Sequence, residues 1–136
     1  MIKLFFLVTI FLTLFYFKSN SQNINVKVAV DAIDTNIKNR ILSKIQTELR
    51  SKSRVIISPD DPTFIISIIT AQIKSGDRVV GLSISTVLTK KVTTNENKIT
   101  FEILTNIVNS INLNEIDAKC VELIARFDVD YFEKER

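Results

Sequence analysis

Aspartates and a single cysteine are the residues of this chain from which a catalytic or metal site could be built. The 136 residues include no histidine, one cysteine and two glycines. Histidine-dependent catalytic triads are therefore excluded within this chain, and one cysteine is too few for a zinc site. Two isolated glycines cannot form a glycine-rich phosphate-binding loop. The sequence accordingly predicts no catalytic residue, no cofactor-binding residue and no metal ligand.

Two pairs of aspartates are the candidates for acid–base or cation chemistry. Asp60 and Asp61 lie between two prolines, where aspartate side chains typically bond backbone amides in a turn. Asp31 and Asp34 follow a predicted strand, and Asp34 or Thr35 is expected to cap the next helix. Their spacing lacks the alternating acceptors and the glycine of a calcium loop. We therefore assign Asp31 to the end of a strand, Asp34 to a helix cap and the Asp60-Asp61 pair to a turn. A carboxylate-dependent hydrolase is kept as the less favoured alternative.

Cys120 falls within the apolar stripe of the predicted C-terminal helix. A buried cysteine packs as a small hydrophobic side chain, whereas a nucleophilic one is usually exposed beside a cation or a base. We predict a packing role for Cys120. Because it is the single cysteine, it cannot form an intrachain disulfide, and the fold must depend on its core.

Residues 1–21 have the pattern of a secretory signal peptide. Lys3 precedes an apolar run, residues 4–17, that is shorter than the roughly 20 residues of a bilayer-spanning helix. Ser19 and Ser21 supply small residues at positions −3 and −1 of a cleavage site. An uncleaved anchor is the alternative, because Lys18 directly follows the apolar run. We predict an exported protein, either periplasmic or secreted. Its single domain, residues 22–136, is expected to have no membrane partner after the leader is cleaved.

Charge argues against a nucleic-acid partner. The chain has 18 lysines and arginines against 15 aspartates and glutamates. Lys3 and Lys18 belong to the predicted leader, so the remaining domain has a net charge of only +1. Binding to a phosphate backbone requires a surplus of positive charge. No nucleic-acid partner is therefore predicted.

Hydrophobic periodicity predicts the element order β-α-β-β-β-α. Apolar residues alternate in the strands and recur every four residues in the helices. Asn112 or Asn114, followed three residues later by Glu115 or Asp117, is expected to cap the second helix. Ser75-Gly76-Asp77 is typical of a hairpin loop, and residues 90–97 are polar enough for a longer loop. The predicted strands are residues 24–30, 55–57, 63–73, 78–88 and 99–107, and the predicted helices are residues 37–49 and 116–131.

These elements predict an α+β two-layer sandwich, with a mixed sheet of about five strands and two helices on one face. The first β-α-β unit implies parallel strands joined by a right-handed crossover. The later connections are short, so we expect antiparallel pairing there. The strands at residues 55–57 and 63–73 are apolar on both faces. We therefore expect residues 55–57 to be covered on two sides. Residues 63–73 are expected to be covered on both faces over at least part of their length and so to be central.

One face of the sheet is predicted to be small and polar. An ordinary solvated face explains it, and a docking surface for a partner, or for a second sheet in a homodimer, is the sharper hypothesis. Lys90-Lys91 is expected to face solvent, and an exposed edge strand could add a peptide strand. The residues assigned to this face, if the register allows, are Gly81, Ser83, Ser85, Thr100, Glu102 and Asn106.

Four segments carry a resemblance to known proteins. They are Ile41, Ile45 and Leu49 leading into Arg54-Val55-Ile56-Ile57; Pro62-Thr63-Phe64-Ile65-Ile66-Ser67-Ile68; Gly81-Leu82-Ser83-Ile84-Ser85; and the close Leu123-Ile124-Ala125-Arg126-Phe127-Asp128-Val129-Asp130-Tyr131-Phe132. Together they resemble a group of small exported bacterial proteins that end in a Phe-x-x-Asp-Tyr-Leu helix, with Phe132 in place of the leucine. The resemblance implies export and this fold, and transfers no catalytic residue. The β-α-β-β arrangement is also similar, at fold level, to envelope-assembly α+β domains.

The functional prediction rests on two observations: the sequence can form a complete apolar core, and it lacks the residues that usually carry out catalysis. We predict a non-enzymatic binding or interaction module of the bacterial envelope, whose partner is a protein or another envelope component. The alternatives are a structural subunit of an envelope complex or a homodimer, and then the carboxylate-dependent hydrolase.

Overall fold

The computed structural model describes residues 22–135, which form a mixed sheet covered on one face by two helices. The predicted α+β class and element order are confirmed, and the predicted signal peptide lies outside the described residues. A 3₁₀ turn at Leu113–Glu115 leads into the second helix, and a π-helical turn at Asp128–Phe132 follows it. The elements are β1 (Ile24–Asp31), α1 (Thr35–Arg50), β2 (Val55–Ile57), β3 (Phe64–Ser75), β4 (Arg78–Thr93), β5 (Ile99–Ile111) and α2 (Ile116–Phe127).

The strand order is β2-β1-β3-β4-β5. β1 runs parallel to both of its neighbours, and the β3–β4 and β4–β5 pairs are antiparallel. The expectation of antiparallel pairing after every short connection was wrong for β2 and β3, which flank β1. β2 ends opposite Val26 at Ile57, and β3 begins opposite the same residue at Phe64. The connecting loop therefore crosses only one strand, a distance of about 10 Å between its two outer neighbours.

The helices form because each has a cap and a continuous apolar stripe. The Asp34 carboxylate accepts hydrogen bonds from the backbone N–H groups of Asn36 and Ile37, at 2.7 and 3.1 Å, which confirms it as the cap of α1. Asn112 and Glu115 form a capping box before α2, as the sequence predicted. The stripes of both helices are buried against the same face of the sheet.

The expectation that the apolar strands are covered on both faces was wrong. The helices cover one face, and on the other Ile69 of β3 is 57% exposed and Ile56 of β2 is 44% exposed. β2 is an edge strand, while β3 is central in the sheet as predicted. Apolar side chains on two faces of a strand therefore do not require two covering layers, because part of the apolar surface of a folded protein stays exposed.

A β-bulge in β5 changes which side chains face the helices. Thr105 pairs with Leu88 and Ile103 with Thr89, so Leu104 is an extra residue in β5. Ile99, Phe101 and Ile103 before the bulge face away from the helices, whereas Ile107 after it packs against the core. The alternation of Ile99, Phe101, Ile103 and Ile107 with other residues along the strand predicts a single face for all four, which is wrong because a bulge reverses the alternation.

The β4–β5 hairpin is longer than predicted. β4 continues to Thr93, so residues 90–93 of the expected loop are strand. The turn closes with the Thr94 N–H donating to the Lys98 carbonyl at 2.9 Å. The Gly76-Asp77 turn between β3 and β4 is confirmed, with Gly76 at φ +60°, a conformation that glycine adopts without strain.

An ion pair joins the two helices at the surface. Arg40 Nε lies 2.8 Å from Asp117 Oδ1, and Arg40 Nη1 donates to the Leu113 carbonyl at 3.2 Å. The hydrogen bond from Arg40 lowers the pKa of the Asp117 carboxyl below its ordinary value. The pair therefore favours the ionised, folded state.

We expect the Asp117→Asn variant to be less stable than the parent chain near neutral pH and equally stable in strong acid. The folded pKa of Asp117 lies below the unfolded one. Its contribution is thus complete above the unfolded pKa and is lost as the pH falls through the folded pKa. Melting curves from about pH 7 to about pH 2 should show the difference in Tm shrinking to zero. Glu122→Gln, which removes the pair with Lys119 inside one helix, is the matched charge control.

Candidate functional site

The sheet face opposite the helices, called the open face below, is more apolar than the sequence predicted. β3 contributes Ile65, Ile69 and Ile73, which are half-buried to exposed. β4 contributes small or short side chains between the two outer rows. The open-face row of β5 before the bulge is Ile99, Phe101 and Ile103, and after it Asn106, Val108 and Ser110.

These rows form two apolar ridges with a shallow trough between them. Ser83 and Ser85 of β4 lie between the isoleucines of β3 and the residues of β5. At the end of the trough, a Cβ on Gly81 would lie 2.6 Å from the carbonyl oxygen of Ile111, so the backbones approach more closely than a side chain would allow. A depression of about 200 Å³ opens there.

The free edge of β5 coincides with its exposed apolar row. The Thr94–Lys98 hydrogen bond orients the backbone groups of Lys98 towards β4, so by alternation those of Ile99 and Phe101 point away from the sheet. Ile103 is also 66% exposed. Unpaired strand edges are usually short, charged or covered. β5 is a 13-residue edge, whereas β2 at the opposite edge has three residues.

Part of the polar face predicted from the sequence is present. Ser83, Ser85 and Asn106 share the open face, and Ser85 Oγ lies 3.4 Å from Asn106 Oδ1. Thr100 and Glu102 do not, because the bulge at Leu104 places them on the helix side, where Glu102 pairs across the sheet with Lys90. The predicted register was wrong by one residue in this half of β5.

The residues missed by the sequence analysis are the exposed apolar ones of β5. Ile99, Phe101 and Ile103 alternate regularly with polar neighbours, a pattern that equally fits a core-facing strand. In a regular strand Ile99, Phe101 and Ile103 would share one face with Ile107, so no signal in the sequence identified the exposed residues. A bulge has no strict sequence signature without glycine.

The aspartates do not assemble into a common site. Asp34 caps α1, and the Asp61 carboxylate accepts a hydrogen bond from Lys91 Nζ. In the turn, the Ser58 hydroxyl donates to the Asp60 carbonyl and accepts from the Asp60 N–H. The sequence predicted that the aspartate side chains would make the bonds to the backbone of this turn, and the serine makes them instead. Among residues 22–135, no three acidic or sulfur side chains cluster closely enough to hold a metal ion.

The two neighbouring lysines do not simply face solvent, as the sequence predicted. Lys91 forms an ion pair with Asp61, and Lys90 forms one with Glu135.

Cys120 is confirmed as a packing residue. Its side chain is buried in the core cluster beneath α2. Burial, together with the nearby Asp117 carboxylate, raises the pKa of the Cys120 thiol to about 11. Nucleophilic cysteines need a thiolate at neutral pH, so the burial and raised pKa of this thiol fit packing and not nucleophilic chemistry.

The fold therefore defines the chain as a two-layer α+β domain with an open, mixed sheet. None of the helices in the described part of the chain is long and apolar enough to cross a bilayer. No known protein family matches the sequence, and no curated protein matches it. The resemblance stated above to a group of small exported proteins remains a prediction.

Several solved structures are weakly similar to this chain. A PelC dodecamer from Paraburkholderia phytofirmans is 11% identical, with a TM-score of 0.47, and the match covers 79% of this chain and 87% of that one. The rare lipoprotein B from Shewanella oneidensis is 8% identical, with a TM-score of 0.34, covering 82% and 96%. A minor lipoprotein from Acinetobacter baumannii is 9% identical, with a TM-score of 0.36, covering 78% and 93%. At these values the likenesses carry no argument about function.

Proposed function

We propose that this protein is a non-enzymatic interaction module of the bacterial envelope that binds a protein through β5 and the adjoining open face. The proposal rests on one observation, that two features occur at the same residues of β5. The residues of β5 whose backbone groups point away from β4, where residues 22–135 supply no further strand, also present the exposed apolar side chains. A strand added there gains backbone hydrogen bonds and apolar contacts together.

The extent of the surface supports this proposal. Six apolar side chains of β3 and β5 on the open face are each between 37% and 66% exposed: Ile69, Ile73, Ile99, Phe101, Ile103 and Val108. Exposed apolar side chains grouped on one surface usually mark a binding site. The β1 part of the open face is polar instead, with Asn25, Lys27 and Asp31, so it separates these apolar rows from the exposed Ile56 of β2.

Export is the second part of the proposal. Residues 1–21 act as a cleaved signal peptide, and the exported domain is periplasmic or secreted. β1 begins at Ile24, so cleavage before Gln22 leaves the first strand whole. Intact mass of the protein recovered from the envelope fraction tests this part, since an uncleaved leader contradicts it.

The interaction itself is tested with two exposed-residue variants. Phe101→Asp introduces a charge into the proposed surface, and Ile33→Asp changes a residue that is 80% exposed and lies between β1 and α1. We expect tagged Phe101→Asp to retain at least about tenfold less of the partner proteins, a second copy of this chain included, than the parent chain retains from an envelope extract. Ile33→Asp should retain as much as the parent chain. Equal retention by the parent and Phe101→Asp contradicts the proposed surface. A catalytic turnover that is abolished by one point substitution contradicts the non-enzymatic assignment.

A further inference from the structure

We infer that a second copy of this chain binds at β5, with residues 98–102 of the two copies paired antiparallel about a two-fold axis at Thr100. The inference rests on the proposed function and names the partner. The two five-stranded sheets then form one continuous sheet with the helices of both copies on the same side.

The backbone of β5 is arranged for this pairing. The N–H and C=O groups of Ile99 and Phe101 point away from β4. In an antiparallel pair centred on Thr100, Ile99 of each copy lies opposite Phe101 of the other, and each such pair exchanges two hydrogen bonds. About four new backbone hydrogen bonds therefore join the copies.

The side chains of this register are complementary to themselves. On the helix side, Lys98 of each copy lies opposite Glu102 of the other, so opposite charges meet twice. Within one chain these two residues are about 13 Å apart along the strand and cannot pair with each other. On the open face, Ile99 lies opposite Phe101, a favourable pairing of a β-branched with an aromatic side chain.

The ends of the regular segment select this register. Asn97, with φ +57°, belongs to the hairpin turn, and the extra residue Leu104 interrupts the edge on the other side. Shifting the axis by one residue to Phe101 would place Lys98 opposite Leu104, and Glu102 opposite Thr100, which loses both charge pairs. The strand at the opposite edge of the sheet, β2, has three residues and does not present a comparable row of exposed apolar side chains.

Disulfide trapping tests the register directly. In the proposed pairing Thr100 faces Thr100 of the second copy at a non-hydrogen-bonded position, where the Cα atoms are about 4.5–5.5 Å apart and a disulfide fits. Cys120 is buried with a raised pKa and does not compete. We expect Thr100→Cys to form a covalent dimer under mild oxidation and Ser110→Cys, on the same strand but outside the pairing, to stay monomeric. Equal cross-linking of both variants, or none at Thr100→Cys, overturns the register.

Charge reversal tests the same register without a cross-link. Sedimentation equilibrium of the parent chain should show a reversible monomer–dimer equilibrium. Lys98→Glu and Glu102→Lys should each weaken it at least about tenfold, because like charges then lie opposite each other, and the double variant should restore it to within about threefold. Thermal unfolding monitored by circular dichroism checks that each variant is folded. Two single losses that add in the double variant overturn the charge pairing.

Failure of this inference is separable from failure of the proposed function. A parent chain that stays monomeric up to about 1 mM overturns the dimer, since even a weak specific association is populated at that concentration. If Phe101→Asp still loses its envelope proteins in that case, the interaction surface stands and its occupant is another protein.

Discussion

Replacing Phe132 by alanine is expected to lower the free energy of unfolding by about 3–5 kcal/mol, because the ring is fully buried at the junction of the C-terminal turn and the sheet. Its centroid lies 5.1 Å from that of Phe64 in an edge-to-face arrangement, with an interplanar angle of 60°. The truncation therefore removes both the apolar contact area and an aromatic pair. Urea unfolding followed by circular dichroism measures the difference.

The matched control for this prediction lies in the same turn. Val129 is largely exposed, so Val129→Ala should change stability by less than about 0.5 kcal/mol. A comparable loss in both variants would mean that the π-helical turn depends on its helical backbone and not on the packing of Phe132. A small loss in both would place the C-terminal turn outside the cooperative core.

The second large effect contrasts two adjacent residues of β3. Ile68→Ala is expected to cost about 2–5 kcal/mol, because Ile68 is buried beneath the helices, and Ile69→Ala is expected to cost less than about 1 kcal/mol, because Ile69 faces outwards. The two substitutions remove the same atoms from the same strand. The difference between them therefore measures the cover on each face directly.

The measurement is best made by urea titration at low and high protein concentration. Equal costs at low concentration would contradict the one-sided core. A cost for Ile69→Ala that rises with concentration would show that association covers β3 as well as β5, because binding stabilises the folded state by mass action. The proposed edge pairing buries β5 and leaves Ile69 exposed, so the cost of Ile69→Ala should not depend on concentration.

Local patterns were sufficient for most elements of this fold. The four-residue spacing of Ile37, Ile41, Ile45 and Leu49, preceded by Asp34, predicted a capped helix, and the structure contains it. Asn112 with Glu115 likewise predicted the start of α2. Each of these features depends on contacts within a few residues, which a single sequence displays directly.

Three features depend on contacts between distant segments and could not be predicted in the same way. β2 and β3 lie on opposite sides of β1, although their connection is short, because β3 begins where β2 ends. The face of Ile69 stays uncovered because both helices pack on the other face. The bulge at Leu104 turns the first half of β5 outwards.

The amino-acid sequence is therefore enough to establish the α+β class, the two capped helices and the packing role of Cys120. It does not establish which face of each strand is exposed, because alternation of apolar and polar residues is symmetric between the two faces. A single extra residue reverses that alternation along the rest of a strand. The candidate surface on β5 was consequently decided by the pairing of β4 with β5, since only that register shows that Ile99, Phe101 and Ile103 point away from the core.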